Sequence, residues 1–179
     1  ADLARHTLTV PFNDLAAVRQ ALEQHQGQVA AVIVEPAAGN MGLVPPAPGF
    51  LEGLRQVTRA HGTLLIFDEV ITGFGRTGRM WGSERYDISP DMITFAKAVT
   101  SGYQPLGGVL VAPRVSGPFW DGSGPGPMFV HGYTYSGHAA ACVAAMANLD
   151  ILEREGLIGR VAAMEAPFAA AIRRLEAHP

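Results

Sequence analysis

The sequence reads TLLIFDE from Thr63 to Glu69, an unbroken apolar run that ends on two carboxylates. A run without polar alternation predicts a strand that is buried on both faces, as in a parallel sheet. Residues 29–34, VAAVIV, form a second such run and end at Glu35. Between the two runs, residues 50–60 carry apolar side chains at helical spacing. The pattern therefore predicts two parallel strands joined by a helix.

The same reading extends along the whole chain. Further strands are predicted over 91–95 and 107–111, and helices over about 13–25, 137–155 and 158–177. The Gly- and Pro-rich segment 116–127 predicts a long loop. Strands that alternate with helices or long crossovers indicate an α/β fold with a mostly parallel sheet flanked by helices.

The composition narrows the class of protein. The chain has 179 residues, is 48% hydrophobic and carries a formal net charge of −3, which provides no basic surface for nucleic acid or an anionic membrane. The single cysteine, Cys142, excludes a disulfide framework. The six histidines show no metal-ligand spacing, so no metal site is expected. No membrane span or signal peptide is visible, and we expect a cytoplasmic enzyme or a piece of one.

Three polar residues follow the predicted strands: Glu35, Asp68 and Lys97. In parallel sheets, ligands bind beyond the carboxyl ends of the strands. Lys97 alone is compatible with a lysine that extends to solvent, or with a buried amine that attacks an aldehyde. Asp68 needs a partner, and a protonated pyridine nitrogen is one that suits it. A plain Asp68–Lys97 salt bridge is the open alternative.

Three longer segments carry a family resemblance. Residues 67–78 read FDEVITGFGRTG, residues 94–108 read TFAKAVTSGYQPLGG, and residues 131–138 read HGYTYSGH. Together, in this order, they resemble the class III (omega) aminotransferases. The glycines at 73, 75 and 78 also match a dinucleotide fingerprint, but no helix is predicted after them, so a dinucleotide site is rejected.

The resemblance implies the fold and the chemistry. It implies the large domain of a fold type I transferase that depends on pyridoxal 5'-phosphate. Lys97 would carry the cofactor through its amine and shuttle a proton, and Asp68 would hold the pyridine nitrogen. Val70 would pack against one ring face, although it is also compatible with a core valine. Thr134 would donate to the phosphate of a neighbouring subunit, which implies a homodimer with shared sites.

The expected reaction is transfer of an amino group from an amine or amino acid to an oxo acid, with a pyruvate-like acceptor. Residues 35–46 are similar to glutamate-1-semialdehyde 2,1-aminomutase, so intramolecular amino transfer is the alternative within this chemistry. Asn40 stands where many relatives that use glutamate or 2-oxoglutarate have an acid. A non-catalytic α/β binding module is the alternative of another class.

The resemblance also implies that more of the protein exists. Residues 1–179 correspond to the central part of the cofactor-binding large domain, with an N-terminal segment and a C-terminal small domain missing. We expect the piece to be inactive alone. Its strands are apolar on both faces and need helical cover that this segment supplies only in part.

Overall fold

A computed structural model of the chain describes residues 2–120, 127–176 and 178. The strands are β1 (Ala31–Val34), β2 (Leu64–Asp68), β3 (Met92–Phe95) and β4 (Gly108–Val111). The α-helices are α1 (Leu15–Gln24), α2 (Phe50–Ala60), α3 (Gly82–Arg85), α4 (Pro113–Trp120), α5 (Ala139–Arg154) and α6 (Leu157–Glu176). Two 3-10 helices span Leu3–His6 and Lys97–Thr100.

The strands form one sheet in the order β1-β2-β3-β4. The first three strands are parallel, and β4 runs antiparallel to β3. A parallel neighbour needs a long crossover, which is usually an α-helix. Residues 96–107 contain only the short 3-10 helix, so the chain turns back and β4 pairs in the opposite direction. The predicted α/β fold with a mostly parallel sheet is confirmed.

Helices cover one face of the sheet and leave much of the other open. Helices α1 and α2 pack on the covered face, where Leu65 and Phe67 are fully buried. On the opposite face, Ile33 is 61% exposed and Val109 is 52% exposed. The partial helical cover expected from the apolar strands is therefore observed in the described residues.

The segment 116–127 differs from its prediction as a loop. Its first residues belong to α4, which begins at Pro113 and includes Pro118. Proline suits the first helical position because its missing N–H needs no intrahelical partner there. Residues 121–126 lie outside the described part of the chain. Cys142, predicted to be a small buried side chain, is only half-buried on α5.

A buried ion pair fixes the amino end of β3. The Asp91 carboxylate accepts from the Leu65 amide at 2.7 Å and from Arg55 at 3.0 Å. Its other oxygen accepts from Arg114 Nε at 2.6 Å. Burial alone would raise the pKa of Asp91, but these hydrogen bonds outweigh it and hold the pKa below its usual range. The cluster joins α2, β2, β3 and α4.

Helix α6 packs against the turn that follows β2. Gly75 and Gly78 have φ of +91° and +78°, a region that glycine adopts without strain. A Cβ on Gly78 would also lie 3.0 Å from the Cα of Ala162 in α6. Nearby, Arg85 donates to Glu165 at 2.7 and 3.2 Å, which raises the pKa of Arg85 and lowers that of Glu165. Two glycines of the rejected dinucleotide motif thus serve helix packing.

Candidate active site at the carboxyl edge of the sheet

The three polar residues predicted at strand ends do share one edge of the sheet. Because β1, β2 and β3 are parallel, their carboxyl ends lie together, and Glu35, Asp68 and Lys97 follow there in order. Glu35 is engaged by its own loop, since its Oε2 accepts from the Gly39 amide at 3.0 Å. Asp68 ends β2 and Lys97 follows the neighbouring strand β3, and each places a charged group at this edge.

Asp68 is the last residue of β2 and keeps one carboxylate oxygen open. Its Cα pairs with that of Thr94 on β3, and its side chain is half-buried. Oδ1 accepts from the Val70 amide at 3.0 Å, which fixes the orientation of the carboxylate. Oδ2 has no hydrogen-bond partner among the described residues. An oriented carboxylate with one open oxygen can accept a proton donor from a bound ring.

Lys97 begins the 3-10 helix after β3. It is the only lysine in the sequence. Its φ is +49°, which is uncommon outside glycine. The side chain is exposed, so the burial expected from its apolar neighbours in sequence is not found. The physical reason is the turn at Ala96 and Lys97, where the chain leaves the sheet. The amine is therefore open to a ligand from solvent.

The plain salt bridge between the two groups is not formed. Among the ion pairs of the described residues, none joins Asp68 to Lys97. Each charged group therefore lies at the edge without an ion-pair partner from the described chain. A bound molecule with an acidic ring N–H and an aldehyde could engage both at once.

The other two predicted site residues are placed differently. Val70 is half-buried, two residues after Asp68, and belongs to neither buried hydrophobic cluster. Thr134 lies in an exposed turn ahead of α5, closed by a hydrogen bond from the Tyr133 amide to Ser136 Oγ at 2.9 Å. In the described part of the chain, no hydrogen bond links this turn to Asp68 or Lys97.

Glu69 is a structural carboxylate that sequence reasoning missed. It is fully buried between Asp68 and Val70. Its Oε2 accepts from Thr72 Oγ1 at 3.0 Å and from the Gly82 amide, and its Oε1 accepts from the Ser83 amide at 2.8 Å. These bonds tie the end of β2 to α3. The donors lie up to 14 residues away, so local spacing gave no signal.

Among the described residues, no group of three or more His, Cys, Asp or Glu side chains could hold a metal ion. Within the same ranges, no helix has the length and hydropathy to cross a bilayer.

The fold is that of an α/β protein with charged residues at the carboxyl ends of parallel strands, the edge at which such sheets bind ligands. Residues 4–179 match the family described as "Aminotransferase class-III". The chain therefore belongs to the class III aminotransferases, as its sequence resemblance predicted.

Named relatives agree with this family. The chain is 51% identical over 134 residues to a diaminobutyrate–2-oxoglutarate transaminase of Halomonas elongata, covering 75% of this chain and 29% of that protein. It is 45% identical over 163 residues to a glutamate-1-semialdehyde 2,1-aminomutase of Exiguobacterium sibiricum, covering 87% of this chain and 34% of that protein. The chain thus spans about a third of the length of these relatives.

A solved structure supports the fold. A thermostable (S)-enantioselective omega-transaminase from Thermomicrobium roseum superimposes with a TM-score of 0.84 at 43% sequence identity. The match covers 92% of this chain and 36% of that one. The predicted fold type I architecture is confirmed for the part that the chain represents.

Proposed function

We propose that the protein is a pyridoxal 5'-phosphate-dependent transaminase, and that residues 1–179 form the central part of its cofactor-binding large domain. The observation that carries this proposal is the pairing of Asp68, with its open Oδ2, and the exposed Lys97 at one edge of the sheet. The donor set fits the cofactor, because a carboxylate and a free amine are what its ring nitrogen and its aldehyde require.

When bound, pyridoxal 5'-phosphate supplies an aldehyde that captures amino groups and a ring that withdraws electrons. Asp68 accepts the ring N–H through Oδ2 and keeps the ring nitrogen protonated. The Val70 amide holds Oδ1, so the carboxylate does not rotate away. Lys97 holds the cofactor through Nζ in the resting enzyme and moves a proton at the substrate carbon during transfer.

We further propose an amine or amino acid as donor and a pyruvate-like oxo acid as acceptor. Asn40 is exposed and uncharged, so it cannot form the ion pair with an arginine that an acid would form at this position. The names of relatives favour transfer between two molecules over the aminomutase alternative. The Halomonas relative is named for diaminobutyrate and 2-oxoglutarate, and initial rates of the full-length protein with pyruvate and with 2-oxoglutarate test the proposed acceptor.

We also propose that the protein is a homodimer and is cytoplasmic. Tyr133 and Tyr135, on either side of Thr134, are 77% and 80% exposed. Exposed aromatic side chains are common where proteins meet, which supports a homodimer in which Thr134 serves the neighbouring subunit's cofactor phosphate. The single cysteine and the small negative net charge are compatible with a cytoplasmic enzyme.

Covalent labelling tests the proposed function. The full-length protein is incubated with pyridoxal 5'-phosphate, reduced with borohydride, digested and mapped by mass spectrometry. The pyridoxyl mass is expected on Lys97, which is the only lysine in this part of the protein. Lys97→Arg is the matched control, because it keeps the positive charge and cannot be labelled. A pyridoxyl group on another lysine of the native protein would refute the assignment.

A further inference from the structure

Helix α5 places an amide side chain against the turn that carries Lys97. Asn148 Nδ2 donates to the carbonyl oxygens of Ala98 at 2.9 Å and Val99 at 3.1 Å. Its Oδ1 accepts from Ser101 Oγ at 2.6 Å. One side chain therefore makes three hydrogen bonds to the residues that follow Lys97.

The turn needs such support because of its backbone. Both Lys97 and Ser101, at its two ends, have φ near +50° without being glycine. Such conformations are unfavourable and persist only where the surroundings hold them. A 3-10 helix of four residues also leaves carbonyls near its end short of partners. Asn148 donates to the Val99 carbonyl, which accepts from no backbone amide of the described residues, and adds a second donor to the Ala98 carbonyl, which also accepts from the Ser101 amide at 3.2 Å.

Packing brings Asn148 to this position. Ala145, three residues earlier on α5, is buried and lies in a hydrophobic cluster with Val99 and Phe74. A small side chain at Ala145 lets the helix approach the turn closely. Ala145 thus serves contact with the Lys97 turn, and Asn148 makes hydrogen bonds to polar groups of that turn.

We propose that Asn148 is a positioning residue that holds the Lys97 turn, and so sets where the Lys97 amine lies relative to Asp68. This inference rests on the proposed function, in which Lys97 carries the cofactor. Asn148 makes no hydrogen bond to Lys97 or Asp68 in the described residues; it acts through the carbonyls of Ala98 and Val99 and the hydroxyl of Ser101.

The affinities for two forms of the cofactor distinguish a displaced Lys97 from a general loss of stability. Pyridoxal 5'-phosphate binds through its aldehyde to Lys97 and through its ring and phosphate. Pyridoxamine 5'-phosphate has no aldehyde, so it binds only through the ring and phosphate. A displaced Lys97 weakens the binding of pyridoxal 5'-phosphate selectively. A loosened fold weakens the binding of both forms by the same factor.

The experiment measures the dissociation constants of both forms for the full-length wild type, Asn148→Ala, Asn148→Asp and Ser101→Ala. Asn148→Asp removes the donors to Ala98 and Val99 and places a carboxylate against their carbonyls. Ser101→Ala removes a single hydrogen bond and provides a mild variant should the others fail to fold. Asp150→Ala, an exposed position on α5, is the matched control.

Asn148→Ala is expected to raise the dissociation constant of pyridoxal 5'-phosphate about tenfold, because several hydrogen bonds to the Lys97 turn are lost. The dissociation constant of pyridoxamine 5'-phosphate should rise by less than about threefold. Ser101→Ala should shift the same ratio in the same direction by a smaller factor, and Asp150→Ala should leave both constants unchanged. Equal weakening of the two forms, or no weakening in any variant, would overturn the positioning role.

The borohydride label on wild-type protein separates failure of the Asn148 role from failure of the proposed function. If wild type is labelled at Lys97 and the variants leave the affinity ratio unchanged, the role of Asn148 is refuted and the proposed function stands. If wild type is not labelled at Lys97, the proposed function itself is refuted.

Discussion

Replacement of Asp91 by Asn should remove a large share of the stability of this fold. The carboxylate is 5% exposed, and Arg55, its partner at 3.0 Å, is 7% exposed. Asparagine retains one acceptor oxygen but leaves the Arg55 guanidinium buried without a counter-charge. Breaking a buried pair in this way costs about 3–5 kcal/mol. For a cooperatively unfolding unit of about 150–250 residues, that cost corresponds to a fall in the melting temperature of roughly 6–20 °C, and a larger unit would show a smaller fall.

The stability that Asp91 contributes depends on pH. The folded pKa of Asp91 is lowered, so its contribution is fully present above the unfolded pKa, about 3.9, and is lost as the pH falls through the folded pKa. The difference in melting temperature between wild type and Asp91→Asn should therefore be constant from about pH 5 to 8 and shrink in acid. Thermal unfolding of the full-length protein, followed by circular dichroism, measures it.

The control for this measurement is Asp150→Asn, which makes the same chemical change at an exposed position on α5. It should shift the melting temperature by no more than about 2 °C, because surface charges contribute little. An Asp91→Asn protein that melts with wild type at pH 7 would refute the reasoning. So would a difference that persists undiminished at pH values below the folded pKa.

Two further substitutions test the site and the packing of α6. Asp68→Asn should retain pyridoxal 5'-phosphate and reduce kcat by roughly 10²-fold, because the ring loses the carboxylate that keeps its nitrogen protonated. Steady-state assays with bound cofactor measure kcat. A near-normal kcat would contradict this role of Asp68. Gly78→Ala should destabilise the protein by about 1–2 kcal/mol, because alanine at φ +78° is strained and meets Ala162. Limited proteolysis in α6 and the melting temperature report this effect. Gly27→Ala, at φ +72° and with nothing within 4 Å, is the control: it carries similar backbone strain without the contact with Ala162 and should destabilise the protein less.

The sequence predicted the strands well because three of them are continuous apolar runs. Short runs of this kind, bounded by turn residues, are typical of buried strands. Boundaries moved by up to two residues, as at β1, which begins at Ala31 where the apolar run begins at Val29. The direction of β4 was beyond prediction, because it depends on how the chain connects and not on the strand's own residues. Helix α4 was missed because its glycine and prolines favoured a loop.

For the site, the position of Asp68 and Lys97 followed from the rule for strand ends, whereas Val70 and Thr134 came only from the family resemblance. Asn148 and Glu69 were missed for a common reason. Asn148 bonds a carbonyl 50 residues earlier, and Glu69 bonds amides 13 and 14 residues later. Such contacts exist only once the chain has folded, so no local pattern in the sequence marks them.

Strand β3 has a consequence for how this protein can change over evolution or in the laboratory. Its amino end is held by the buried Asp91 cluster, and its carboxyl end leads to Lys97. A strand of four residues separates the two ends by roughly 13 Å. Residues around the reactive edge can therefore be exchanged to admit new substrates without disturbing the ionic anchor. The ion pair that stabilises the fold and the lysine proposed for the chemistry thus lie at opposite ends of one short strand.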